Sequence, residues 1–318
     1  MNRWFKILII VLCCSGAVQA GDALSIDIDW SNKANSHALG QATGIAIDSH
    51  NHVFIFHRAD RVWVEPMPNE AISKSTIIML GGASGKRMAE WGADAFIVPH
   101  GLSIDNDDNV WLTDVGGHTV QKFNHEGNLL LTLGTKGRAG EDASHFNMPA
   151  DVDFSKHGEI FVADGYQNTR VIKFSKNGDY LMQWGKPGKE PGELNLPHGI
   201  AVSDDGRVFV ADRANSRMQV FTDKGKLIRV IGREIVGRPY GIAVSPEGNI
   251  WVIDGGDQPD ETRAIVRQLS EDYKLLNSIN TNTDNFPNVL GHDIAVAQDG
   301  AVYVVDAWAN RVLKLHWD

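Results

Sequence analysis

Three histidines of the chain stand at copies of one short pattern. "PHGLSID" carries His100, "PHGIAVS" carries His198 and "GHDIAVA" carries His292, each imidazole just ahead of an apolar strand. A segment that only has to pack needs apolar residues and a turn, and has no use for an imidazole at its edge. Three repeated imidazoles suit a divalent metal: a catalytic Zn²⁺ takes three protein ligands and keeps one position open. Fe and other imidazole-binding metals accept the same donors. The other nine of the 12 histidines, such as His37, His52, His118 and His316, follow no repeat position and read as structural or exposed.

For three such residues to reach one ion, the chain must bring distant strands together, and an internal repeat does so. Six segments align on a small-apolar-small core and the turn after it, starting at Thr43, His100, Ala150, His198, Tyr240 and His292. Their starts lie 57, 50, 48, 42 and 52 residues apart, the spacing of β-propeller blades of three or four strands. Each unit reads as strand, turn, strand, turn, strand. In the fourth, "GIAV" is a short apolar strand, "SDDG" a turn ending on glycine at positive φ, and "RVFVAD" a strand alternating with a period of two. The recurring Asp114, Asp164, Asp212, Asp254 and Asp306 recur in nearly every unit, which marks them as corner residues bonding backbone rather than as metal ligands. The last unit lacks a strand, and "LSIDIDW", residues 24–30, precedes the first unit and is expected to pair with the last, closing the ring. The chain therefore reads as an all-β, six-bladed propeller over residues 21–318. Histidine occupies the repeat position in blades two, four and six, and alternate blades of a closed six-fold ring are related by about 120°. The three imidazoles are expected to meet at the axis, with Thr43, Ala150 and Tyr240 between them as positions that need no ligand.

Residues 1–20 are a separate object. Arg3 and Lys6 precede the apolar run "ILIIVLCCSGAV", and small residues precede Gly21, the layout of a cleavable secretory signal peptide. The run is short of the roughly 20 residues that span a bilayer. Secretion or export to a periplasm is expected, with no membrane insertion after cleavage. Both cysteines, Cys13 and Cys14, fall inside this segment, so the mature chain has no disulfide and no thiolate chemistry. The formal charge is −10 for the whole chain, and no basic run occurs in it, which argues against nucleic acid and anionic membrane as partners.

The segments "FHRADRVW", "VPHGLSID", "ADGYQNTRVIKFS", "PHGIAV", "VADRANSRMQVF" and "GHDIAV", in this order, resemble the peptidyl-α-hydroxyglycine α-amidating lyases, NHL-type propellers related to the lyase half of the peptidylglycine amidating enzymes. The resemblance covers all six blades, and each motif joins a ligand or charged residue to its strand. It implies a zinc ion on His100, His198 and His292, and active-site roles for Arg58, Tyr166 and Arg213. It also implies a structural Ca²⁺ on the Asp293 carboxylate and the carbonyls of Ile45 and Leu102, an oxygen donor set that suits calcium. The implied substrate is a peptide ending in α-hydroxyglycine, cleaved to a peptide amide and glyoxylate by a protein acting as a monomer.

The residue types fit that chemistry. A divalent metal acidifies a hydroxyl as a Lewis acid, a tyrosine beside it is a base or a neighbour of the ligands, and a guanidinium makes a two-pronged partner for a carboxylate. Arg58 or Arg213 would take that carboxylate and the other would stabilise charge near the base. The sequence departs from the animal enzymes at Leu290, where they carry methionine, and in having no cysteine for their disulfides. Two other functions use the same ring: a non-catalytic NHL-repeat binding scaffold, and a lactonase-like hydrolase, whose sites centre on calcium with Glu, Asn and Asp ligands rather than histidine.

Overall fold

The computed structural model describes residues 24–28, 30–32, 39–257, 261–282 and 289–317; residues 1–20, expected to be a signal peptide, lie outside them. A short strand, β1 (Leu24–Asp27), precedes five complete antiparallel blades. The first holds β2 (Ala42–Ile47), β3 (His52–His57), β4 (Ile77–Gly81) and β5 (Arg87–Trp91). The second holds β6 (Pro99–Ile104), β7 (Val110–Asp114), β8 (Thr119–Phe123) and β9 (Leu129–Gly134), and the third β10 (Asp151–Phe154), β11 (Ile160–Asp164), β12 (Arg170–Phe174) and β13 (Tyr180–Trp184). The fourth is β14 (Pro197–Val202), β15 (Arg207–Asp212), β16 (Arg217–Thr222) and β17 (Leu227–Ile231), and the fifth β18 (Pro239–Val244), β19 (Ile250–Asp257), β20 (Glu261–Leu269) and β21 (Leu275–Asn280). The sixth is β22 (Gly291–Val296), β23 (Val302–Asp306) and β24 (Arg311–Trp317), with β1 as its fourth strand. Leu24 pairs with Trp317 and Asp27 with Lys314, so the N-terminal strand completes the last blade as the sequence predicts.

The fourth strand of each blade is the element the repeat pattern does not disclose. Strands β9 and β13 put Leu129, Leu130, Tyr180 and Leu181 on the outside of the ring, where each is between 44% and 53% exposed. Their composition is apolar although their setting is not, so periodicity cannot identify them. The second strands show the opposite. "VFIFH", "IFVAD" and "VFVAD" are apolar at nearly every position because neighbouring blades cover both faces. Phe54, Phe56, Val110 and Leu112 share one core cluster between blades one and two, and Phe161, Val208 and Val210 share one between blades three and four. The turn glycines behave as read, with φ of 83° at Gly206, 85° at Gly248 and 82° at Gly300.

The repeated aspartates are corner residues. Asp114 accepts the N–H groups of Ile97 (2.8 Å) and Val98 (2.7 Å), Asp212 that of Asn195 (2.6 Å), and Asp306 that of Leu290 (3.0 Å). Four of them also meet an arginine from the next strand: Arg170 on Asp164, Arg217 on Asp212, Arg263 and Arg267 on Asp254, and Arg311 on Asp306. These pairs tie the second strand to the third in blades three to six. In blade one the corner position is His57, whose Nδ1 accepts the N–H of Ala59 (3.0 Å) and of Gly40 (3.3 Å). Burial pushes His57 down to about 4, which keeps it the neutral acceptor this role needs.

Asp153 in β10 accepts the N–H of Val202 (2.7 Å) across the junction of blades three and four, and desolvation pushes its carboxyl up to about 7. A carboxyl with a folded pKa above its unfolded value contributes nothing unfavourable below pH ~4, where both states are protonated, and costs stability progressively as pH rises toward 7. Asp153→Asn is therefore expected to match the parent near pH 4 and to be more stable by roughly 1–2 kcal/mol at pH 8. Urea unfolding at the two pH values checks this, and an unchanged difference between them would count against it.

Candidate active site

His100, His198 and His292 sit at the channel ends of β6, β14 and β22, and all are buried. Their ring centroids form a nearly equilateral triangle of 4.7, 4.8 and 4.9 Å. Each ring is held by the following blade. Nδ1 of His100 bonds the Ala150 carbonyl (2.7 Å), that of His198 the Tyr240 carbonyl (3.0 Å) and that of His292 the Thr43 carbonyl (2.7 Å). A carbonyl only accepts, so each Nδ1 carries the proton and each Nε2 presents a lone pair. Thr43, Ala150 and Tyr240 have a task that the sequence does not show: their backbone oxygens fix the tautomer of the neighbouring histidine.

Burial holds His100 and His198 well below the usual histidine range, helped by the neighbouring imidazoles and the Arg58 and Arg213 charges. His292 is pushed down to about 3 by burial and then by Arg58. Neutral imidazoles with converging lone pairs are the form that binds a metal. The three nitrogens form a buried group with ligand atoms all within 4.8 Å of one another.

Tyr166, just past β11, brings its hydroxyl to the same point, 2.8 Å from His100 Nε2 and 3.2 Å from His198 Nε2. Arg213, following β15, donates from Nη1 to that hydroxyl (3.4 Å) and lies over the rings of Tyr166 (5.4 Å) and Tyr240 (4.6 Å). Its Nε is buried without a hydrogen-bond partner. Arg58, following β3, donates Nε to the Pro99 carbonyl (3.0 Å) and Nη1 to Gln41 Oε1, so a backbone oxygen next to His100 helps to fix it. Burial lowers Arg58 to about 10, offset in part by Tyr166 and Asp114, and it remains a cation at neutral pH. Asp60, two residues further along, pairs with Lys74 (2.8 Å).

Two aromatic residues complete the mouth of the site. Trp63 lies 4.9 Å from the Tyr166 ring and carries Arg58 over its face at 5.1 Å. Tyr240 supplies both a carbonyl to His198 and a ring to Arg213. Trp63 belongs to "FHRADRVW" and Tyr240 to the repeat position itself, so both were within reach of sequence reasoning. Gln41, which holds Arg58 and accepts the Trp63 N–H (3.1 Å), had no such signal.

Asp293 follows His292 and accepts the N–H of Ile45 (2.9 Å), while Leu102 packs its backbone against Gly44. The structure so brings the neighbourhoods of Asp293, Ile45 and Leu102 together. It adds Asp151, which holds the same repeat position three blades away and accepts the N–H of Ile200 (3.0 Å). The other four blades have Gly44, Gly101, Gly199 and Gly241 there. A Cβ at Gly241 would come 2.5 Å from Asp293 Oδ1, and one at Gly101 2.6 Å from Asp151 Oδ1, so the glycines make room for the carboxylates. Burial raises Asp293 to about 7 and, together with Asp293, raises Asp151 well above the carboxylate range. Two buried acids disfavouring each other's charge are a donor set that fits a cation.

The NHL repeat model matches residues 96–123 and 194–221, which run from the first strand into the third of the His100 and His198 blades. A peptidyl-glycine alpha-amidating monooxygenase A of Xenopus laevis is 36% identical over 312 residues, covering 92% of this chain and 33% of the relative. The probable peptidyl-alpha-hydroxyglycine alpha-amidating lyase pgal-1 of Caenorhabditis elegans is 40% identical over 158 residues, 46% of this chain and 45% of that one. These relatives and the NHL repeats support the family of the peptidyl-α-hydroxyglycine α-amidating lyases. The chain spans about a third of the length of the amphibian relative. Among solved structures, a virginiamycin B lyase of Staphylococcus aureus aligns with a TM-score of 0.62 at 13% identity, covering 93% of this chain and 99% of that one. A gluconolactonase of Xanthomonas campestris aligns with a TM-score of 0.63 at 16% identity, covering 88% and 87%. A lyase and a lactonase match equally well, so these likenesses speak for the propeller alone and the family assignment rests on the amidating lyases.

Proposed function

We propose that the protein is a metal-dependent lyase that cleaves a peptidyl-α-hydroxyglycine to a peptide amide and glyoxylate. The observation that carries this reading is the set of three buried, neutral imidazoles with Nε2 atoms converging under the Tyr166 hydroxyl, between two guanidinium groups. Zn²⁺ held by His100, His198 and His292 would supply Lewis acidity at the substrate's α-hydroxyl oxygen and lower the pKa of that hydroxyl.

The chain's own residues do the rest. Tyr166, as phenolate, takes the hydroxyl proton. The hydroxyl oxygen becomes the aldehyde oxygen of glyoxylate, the C–N bond breaks, and its electron pair leaves with nitrogen. Tyr166 returns the proton to that nitrogen, so the amide is released neutral and the site is restored. Arg213 Nη1 supports the phenolate oxygen, and its unpartnered Nε is a donor for the substrate carboxylate. Arg58, fixed by Gln41 and Pro99, contributes a stationary positive charge. A Ca²⁺ held by the Asp293 carboxylate with the carbonyls of Ile45 and Leu102 would neutralise the buried acid pair. With residues 1–20 as a cleaved signal, the enzyme works as a secreted or periplasmic monomer.

The test is direct. The purified protein, stripped with chelator and reloaded with Zn²⁺, is given α-hydroxyhippurate, and glyoxylate is measured. Turnover that disappears with chelator and returns with metal is expected. No glyoxylate from the loaded protein would leave the scaffold reading in its place, and chelator-insensitive lactone turnover would favour the hydrolase.

A further inference from the structure

At the opposite end of the innermost strands from the histidine triad, the turn between β2 and β3 meets the turn between β8 and β9 of the next blade. Asp48 lies in the first of these, its carboxylate fully buried. Oδ1 accepts the N–H groups of His50 (2.9 Å) and His52 (2.7 Å), Oδ2 accepts a hydrogen bond from His52 Nδ1 (2.8 Å), and Oδ2 also lies 2.9 Å from His125 Nε2. The repeat shows what is unusual here. In blade two the equivalent Asp105 bonds Asn109, Trp111 Nε1 (2.9 Å) and the Lys122 ammonium (2.9 Å). Blade one has His52, Phe54 and Met79 at the positions of Asn109, Trp111 and Lys122. The lysine that balances the buried charge is gone, and two imidazoles, one from each blade, stand around the carboxylate instead.

His125 Nε2 is buried and, although 2.9 Å from Asp48 Oδ2, makes no hydrogen bond. The ligand atoms of Asp48, His52 and His125 all lie within 4.8 Å of one another, and the two histidine side chains are 24% and 27% exposed, so solvent reaches one side.

We propose that Asp48, His52 and His125 form a second divalent-metal site, taking Zn²⁺ or a similar imidazole-binding ion, that clips blade one to blade two. Two nitrogens and one carboxylate oxygen are a borderline-soft donor set, suited to Zn²⁺ and poorly to Ca²⁺. The exposed side leaves the fourth position to water. The site is independent of the channel histidines, so its fate and theirs can be read separately.

The experiment compares zinc content, by mass spectrometry after equilibration and dialysis, of the parent, His125→Gln and His52→Gln. Each variant is expected to retain about one zinc per chain fewer than the parent, to keep its glyoxylate release, and to lose part of the rise in melting temperature that zinc gives the parent. Near-UV circular dichroism establishes which variants are folded. Should neither fold, Co²⁺ titration of the parent decides, with visible absorption from two distinct nitrogen-rich sites expected. Equal zinc content in the parent and a folded variant, or a single Co²⁺ site in the parent, overturns the proposal.

Discussion

His198→Ala is expected to lose the channel metal and about 10³-fold or more of glyoxylate-releasing turnover, with the ring still folded. His198 is one of three ligand-form imidazoles, and its removal leaves two, below what a tightly held catalytic zinc requires. The loss of a Lewis acid acting on the reacting oxygen is worth several kcal/mol of barrier, which sets the rate factor. Truncation also strips the Tyr240 carbonyl of its donor, at a cost of about 1–3 kcal/mol of stability. Six blades of packed core should withstand that. Metal analysis and turnover measured on the same folded sample check the prediction, and a variant that keeps its metal and its rate would remove His198 from the site.

Tyr166→Phe is expected to lower kcat by roughly 10²–10⁴-fold while leaving KM within a few-fold and metal content unchanged. The phenyl ring can keep the contacts with Trp63 and Arg213, so only the hydroxyl between His100, His198 and Arg213 is removed. Such a deletion separates a base from a residue that only shapes the mouth. A parallel rise in KM with kcat preserved would assign Tyr166 to binding instead.

The repeat made much of this legible. Four turns with glycine, five corner aspartates and an imidazole in every second unit are enough to infer a closed ring and a shared axial site, and the resemblance added Tyr166, Arg58 and Arg213. What sequence could not show is the reciprocal use of the alternating position. A backbone carbonyl has no letter, so Thr43, Ala150 and Tyr240 read as bystanders. Asp151 escaped for another reason: in "ADVDF" it looks like the polar half of an alternating strand, and only the ring sets it across from Asp293. His52 and His125 read as ordinary surface residues because they belong to different blades and share no register. The arginines on the corner aspartates were visible as letters, but their partners lie on another strand.

The bond from His292 Nδ1 to the Thr43 carbonyl crosses the seam at which the first and last blades join, the blade that β1 completes. During synthesis, His100 and His198 emerge well before His292 and before β24, on which β1 must wait for its partner. A partly made chain therefore offers the channel position two imidazoles and no third. The third ligand position of the channel is supplied only with the closing of the circle, so occupancy of that site, were a metal bound there, would report whether the circle has closed, and an open or misjoined ring would lack it.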